Sequence, residues 1–252
     1  MTERETKHGY AGILRALILG GAAIAAVAVL ARAVVKSFEI KHQEQRVTVT
    51  GSASRRIRSD LIVWRAHLRA QNPDLTVAYK KLAADVPVVV AFIQARGMTD
   101  KEMTVSAASI TEVHPRTNEG ALQEEVIASY RAEQDIVLES SDIAQVERIS
   151  REATQLLDRG VYIQSDTPLY VYTKLGPLKI QMLAEASKDA RLRAEQIASN
   201  TGSRLGKLIT ARMGVMQVNP KFSSDVSGEG NNDKSTLEKD ALAVVTASFE
   251  VR

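Results

Sequence analysis

Cysteine is absent from these 252 residues, which excludes a disulfide-stapled scaffold, thiol catalysis and zinc held by thiolates. Aromatic residues make up only 4% of the chain, too few to lay down the stacking platforms that bind single-stranded nucleic acid. The four histidines, His8, His42, His67 and His114, are dispersed, and none has a second histidine at ligand spacing. Each reads as an ordinary surface histidine, and neither a metal nor a cofactor is expected. Neither glycine-rich phosphate-loop pattern occurs. The stretch Gly202-Ser203-Arg204-Leu205-Gly206 has its serine in the wrong place for a nucleophile elbow and follows a helical pattern, so it reads as a helix end. The acid pairs Glu124/Glu125 and Glu185/Asp189 could serve acid-base chemistry only if buried, and they fall at positions expected to be exposed. A charge excess is lacking too. The net charge of +3 arises wholly within residues 1–36, and the remainder is balanced, so no basic face for nucleic acid is expected.

What is present begins with one long apolar run. Residues 16–31 carry no charge and are bracketed by Arg15 and Arg32. With Ile13, Leu14, Val34 and Val35 added, the run reaches the roughly 20 apolar residues that span a bilayer, the arginines snorkelling to the headgroups. Leu14, Leu17, Ile18, Ile24, Val27 and Leu30 leave no polar face, which argues for a membrane anchor over a buried amphipathic helix. A cleaved signal peptide competes with the anchor, because Arg4, Lys7 and Arg15 precede the run and Ala31-Arg32-Ala33 has the form of a cleavage site. Positive charge on the two sides of the run is close to a tie and does not orient it. The expected organisation is a tail (residues 1–12), an anchor or signal peptide (13–36), a tether (37–45) and one α+β domain (46–252).

Within that domain the 44% hydrophobic content of the chain supports a sizeable core. Alternation predicts a strand over residues 46–50, a turn over 51–59 and a strand over 60–70, with Ile62, Trp64, Ala66, Leu68 and Ala70 on one face and Arg65, His67 and Arg69 on the other. Asn72-Pro73-Asp74 closes that hairpin, and Asp74 caps a helix whose apolar positions are Leu75, Tyr79, Leu82, Val86, Val89 and Ile93, with Pro87 expected to kink or end it. A strand over 102–113, a loop over 114–123 and a strand over 124–138 follow. Ser141-Asp142 then opens a helix that Gly160 ends. A strand over 162–172 leads to a helix entered at Gly176-Pro177, with an inward stripe of Leu183, Ala186, Ala190, Ala194 and Ile197. A strand over 207–218, a flexible loop over 219–240 and a terminal strand through Val245, Ala247, Phe249 and Val251 complete the order β-β-α-β-β-α-β-α-β-β. That order predicts an α+β fold, a largely antiparallel sheet with helices packed on one face.

Several short stretches, taken in order, resemble the SIMPL-domain family, whose bacterial members are mostly exported envelope proteins, some known as periplasmic immunogenic antigens. They are residues 47–53 (VTVTGSA), Ser59-Asp60, Gly97-Met98 with Lys101-Glu102, Tyr130-Arg131-Ala132, residues 189–198 (DARLRAEQIA), Gly202, Leu205-Gly206-Lys207-Leu208 and the closing residues 245–251. Arg55-Arg56-Ile57-Arg58 is more basic than the family's usual first turn. The resemblance implies export, the fold and envelope or stress-related roles described only loosely; it supplies no catalytic residues.

The expectation is therefore a non-catalytic, self-associating envelope scaffold tethered to the bacterial inner membrane, with its large domain in the periplasm and a second copy of itself as partner. The sheet's second face is the expected contact: Leu61, Val63, Ile127 and Val137 are its apolar positions, and Arg65 and Arg69 facing Glu133 and Asp135 set the register. A periplasmic small-molecule or peptide-binding protein is the alternative, and an uncharacterised hydrolase a more distant one.

Overall fold

Ten strands and three α-helices follow one another over residues 46–252 in a computed structural model that describes residues 27–32 and 46–252. Residues 27–32 are helical. No helix among the described residues is long and apolar enough to cross a membrane, and of the expected anchor Leu14, Leu17, Ile18 and Ile24 lie outside the described residues. Val27 and Leu30 lie within them and are exposed.

The strands are β1 (Arg46–Arg58), β2 (Leu61–Asn72), β3 (Met103–Val105), β4 (Ser109–Val113), β5 (Ser129–Ser140), β6 (Ile163–Ser165), β7 (Leu169–Val171), β8 (Leu205–Met213), β9 (Gln217–Pro220) and β10 (Glu238–Val251). The helices are α1 (Leu75–Gln94), α2 (Ile143–Glu152) and α3 (Leu175–Asn200). A four-stranded sheet has the order β1-β10-β8, with β9 also pairing β10, and a six-stranded sheet has the order β3-β5-β2-β6, with β4 beside β5 and β7 beside β2. The registered pairs are antiparallel in both sheets, so the α+β antiparallel expectation holds. The chain forms two compact units, one of residues 46–52, 186–214 and 245–252 with the described residues 27–32, the other of 53–185 and 215–244.

In the first unit the expected turn at Gly51 is strand. Gly51 serves a packing need instead of a bend: a β-carbon there would stand 2.2 Å from the backbone nitrogen of Ala190 and 2.3 Å from the carbonyl oxygen of Ala186. Helix α3 therefore lies directly on the backbone of β1, through Ala186, Ala190 and Ala194, all fully buried. Val49, Ala247 and Phe249 complete this small core. The expected ends of the stripe, Leu183 and Ile197, are exposed instead. Asp189 accepts the Ser52 backbone N–H at 2.8 Å, and that bond, with Arg193 adding to it, holds its carboxyl below the usual carboxylate range.

In the second unit β2 is central. β1 and β2 belong to different sheets, so they form no hairpin; β2 instead pairs with β5 along its length and with β6 and β7 on its other edge. Ile62, Trp64, Ala66, Leu68 and Ala70 are buried as expected, against Ala132, Ile136 and Leu138 of β5 and against α1 and α2, which share this face of the sheet. Asp74 caps α1 by accepting the backbone N–H groups of Thr76 and Val77. The helix runs unbroken through Pro87; the cost of about 3 kcal/mol for an interior proline is offset by burial of Val89, Phe92 and Ile93 just beyond it. Its inward face is Ala78, Leu82, Asp85 and Val89, while Leu75 and Tyr79 are exposed. Asp85 tolerates that position because Lys81, one turn earlier, pairs with it and also donates to the Gly160 carbonyl at 2.9 Å.

Three expected strands are each divided: 102–113 into β3 and β4, with the Ser106 N–H bonded to the Asp135 carbonyl between them, 162–172 into β6 and β7, and 207–218 into β8 and β9. The flexible loop expected over 219–240 is built around buried polar side chains. Gln217 accepts the Asn231 N–H at 2.8 Å, Asn219 donates to the Asp225 carbonyl at 2.6 Å, and Lys239, 1% exposed, donates to Asp233 at 2.9 Å.

Because the obstruction at Gly51 is backbone, it cannot swing aside as a side chain would. Gly51→Ala is expected to lower stability by about 3 kcal/mol or more, whereas Gly97→Ala, at a positive φ with open space around it, should cost only about 1 kcal/mol. Urea unfolding of the two variants checks the difference.

Candidate functional site

The outward face of β2 carries Leu61, Val63, Arg65, His67 and Arg69, because strand side chains alternate and the other set fills the core. Opposite them on β5 stand Glu139 (facing Val63), Val137 (facing Arg65), Asp135 (facing His67) and Glu133 (facing Arg69). On the other edge of β2, Gln164 of β6 faces His67. A cavity of about 270 Å³ opens here, lined by His67, Arg69, Glu133, Asp135, Tyr162 and Gln164, with Leu68 beside them.

His67 is held from both sides. Its Nδ1 lies 2.7 Å from Asp135 and its Nε2 3.0 Å from Asp166. A carboxylate only accepts, so two carboxylates flanking one ring favour the protonated form, in which both ring nitrogens donate. Burial lowers its pKa, but the bonds to Asp135 and Asp166 and their charges outweigh that and raise it above the ordinary histidine value. On the inner face of the same strand, Trp64 Nε1 donates to the Ser165 hydroxyl at 3.0 Å, and that hydroxyl donates to the Ser150 carbonyl at 2.9 Å. The position of β6 is thus fixed from both faces of β2. Beside His67, the Arg69 guanidinium lies 4.5 Å from the centre of the Tyr162 ring.

The expected charge register is partly replaced. Arg69 and Glu133 do face each other, but Asp135 is taken by His67, and Arg65 faces Val137. Nothing in the sequence marks Asp166 as the second partner, since that requires the register of a three-residue strand. Of the expected apolar contact residues, Leu61, Val63 and Val137 are half-buried, with Val171 and Leu169 of β7 beside Leu61 and Val63. Ile127 does not join them: β5 starts at Ser129, so Ile127 lies in the preceding loop, exposed. His114 Nδ1 donates to the Val126 carbonyl at 2.9 Å.

An imidazolium with both nitrogens engaged has no lone pair for a proton or a metal ion, and no hydroxyl of serine or threonine is among the lining residues. Among the described residues no group of three or more histidines and carboxylates is arranged to hold a metal ion.

A family model described as SIMPL, a protein of unknown function (DUF541), matches residues 47–251, from β1 to the end of β10. The chain belongs to the SIMPL family. No curated protein matches it. Among solved structures, it is similar to the crystal structure of an uncharacterized conserved protein from Listeria innocua, at 10% identity over 79% of this chain and 92% of that one, with a TM-score of 0.19, too slight a likeness to argue from. The family resemblance in the sequence gains a physical basis at one place: Gly51 and the Asp189-Ala190 pair, far apart in the SIMPL sequence, meet where α3 crosses β1.

Because the folded protein holds the His67 proton more tightly than the unfolded chain does, the clamp's contribution to stability is complete below the ordinary histidine range. It is lost as pH rises through the raised folded value. The urea midpoint should therefore fall between about pH 6.5 and the alkaline side of neutrality, and His67→Gln, which removes the charge, should flatten that slope. An equal slope in the variant would remove His67 from the account.

Proposed function

We propose that this SIMPL-family chain is a membrane-tethered, exported interaction module that associates with copies of itself and performs no catalysis. The observation that carries the reading is β8. Among the described residues it pairs only with β10, at the edge of the four-stranded sheet, and seven of its nine residues are exposed, Leu208, Ile209 and Met213 among them. An apolar edge strand with unpaired backbone groups is a template for another strand. A second copy is the natural partner because closed symmetric self-association is the commonest route to assembly. The surface expected from the sequence, at Leu61, Val63 and Val137, is half-covered within the chain, so the stronger contact is assigned to the β8 edge. Support for the non-catalytic part is that His67, the best-placed general base in the second unit, is already committed to two carboxylates.

Light scattering on residues 40–252 over a range of concentrations should give a mass of at least two subunits. Ile209→Lys with Met213→Lys should lower it with the circular dichroism spectrum unchanged, while Val63→Lys should act more weakly. A strict monomer at high concentration would sink the scaffold reading and promote a ligand-binding role.

The location follows from the apolar run of residues 16–31 together with the export common in the family. The large domain is proposed to lie in the periplasm and residues 1–12 in the cytoplasm. Protease added to intact spheroplasts should digest the domain; protection of it, or a mature N-terminus at Val34, would overturn the tethered version.

A further inference from the structure

The groups around the His67 cavity divide into those already satisfied within the chain and those left over. His67 and Asp135 are spent on each other, and the second ring nitrogen of His67 on Asp166. Arg69 touches the Tyr162 ring and, among the described residues, has no carboxylate within ion-pairing distance. Glu133 has Arg131 Nε 4.0 Å away as its only ion-pair partner among the described residues, and that nitrogen is itself buried without a hydrogen-bond partner. Arg69 and Glu133 face each other across β2 and β5 and still do not pair, because the guanidinium lies over Tyr162. The Gln164 amide and the Tyr162 hydroxyl are likewise without partners among the described residues. What remains open to the cavity is one cation, one anion and two neutral polar groups.

We propose that this cavity binds a small zwitterion with the chemistry of a free amino acid, its carboxylate on Arg69 and its ammonium on Glu133. A simple anion would bring its charge beside Glu133 and Asp135, and a simple cation would meet Arg69 and His67. An apolar molecule would strip water from two charges and pair neither, a penalty larger than the contacts it gains. A ligand carrying both signs satisfies both. Stacking on Tyr162 holds the guanidinium plane in place for a two-point bond to a carboxylate, while Gln164 and the Tyr162 hydroxyl can bond to a polar side chain. The volume of about 270 Å³ lies just under the range of about 300 to 1,000 Å³ typical of drug-sized ligands, which selects a free amino acid over a longer peptide. His67 acts here as a positioning residue, since its bond to Asp166 fixes the chain beside Gln164.

The test is isothermal titration of the full chain in detergent with each common α-amino acid, β-alanine and γ-aminobutyrate, and with propionate and propylamine, which carry half of the charge pair each. At least one zwitterion should bind saturably, and the half-ligands should bind at least about tenfold more weakly. Arg69→Gln and Glu133→Gln should each abolish binding, and the exchange variant Arg69→Glu with Glu133→Arg should restore it, which a merely structural loss would not allow. No saturable heat from any zwitterion, propionate binding as tightly as the best amino acid, or binding that survives Glu133→Gln would each overturn the proposal. The half-ligand comparison uses the unaltered protein, so it stands even if a variant fails to fold. Particle mass measured on the same samples reports self-association separately, so either idea can fail alone.

Discussion

Helix α3 can lie on β1 only because Gly51 has no side chain. With a β-carbon that close to the Ala190 nitrogen, helix and strand would have to part, and the small core of Val49, Ala190, Ala194, Ala247 and Phe249 would open with them. The alanines on this face follow from the same need, since a larger residue at 186 or 190 would lift the helix as surely as a side chain at 51. Asp189 adds direction to the contact. By accepting the Ser52 N–H it satisfies a strand donor that faces a helix instead of another strand, and it fixes the helix along the strand as well as against it.

The second unit depends on β2 in a comparable way, with its two faces doing different jobs. One face buries Ile62, Trp64, Ala66 and Leu68 under α1 and α2, each large apolar side chain contributing about 1.5 to 3 kcal/mol. The other carries the chain Asp135, His67, Asp166. Short strands such as β6 have few ladder bonds to hold their register, and here Trp64 with Ser165 on one side and His67 with Asp166 on the other supply it. A histidine that the sequence offers as a surface residue is thereby part of how the sheet is assembled.

How much of this the sequence discloses depends on whether a local pattern or a distant partner decides the outcome. Alternation along β2, the Asp74 cap, the end after α3 at Gly202 and the left-handed Gly160 that closes the 3-10 turn Ala153–Arg159 following α2 are local, and they are legible. The stretch at Gly51 reads as a turn because glycine usually marks one; only the position of α3 shows that the missing side chain makes room. Pro87 reads as a break because local propensity knows nothing of the burial beyond it. The loop before β10 reads as flexible from its Ser, Gly, Asn and Asp content, yet Gln217, Asn219 and Lys239 turn inward and hold it. The candidate site was half visible: Arg69, Glu133 and Asp135 lie on the right face, but the pairing of Asp135 with His67, and Asp166 as the second partner, rests on a register that no local pattern encodes.

Among the described residues the two buried charged side chains, Asp85 and Lys239, each have an ionic partner, and that makes unpaired charges informative. Lys239 and Asp233, nearly inaccessible, hold each other, and hydrogen bonds from Ser235, Thr236 and Lys239 outweigh burial to keep the Asp233 carboxyl well below its usual range. Such a pair adds little net stability over apolar residues of the same size, but removing one member leaves an uncompensated charge, so it holds the loop to a single arrangement. Asp85 is matched by Lys81 in the same manner. Against that background Arg69 of β2 and Glu133 of β5 stand out, in register and half-sheltered but apart. Two charges of opposite sign facing one small cavity are what carries the proposed zwitterion site. The unpaired edge of β8 is a separate surface, set in the other unit.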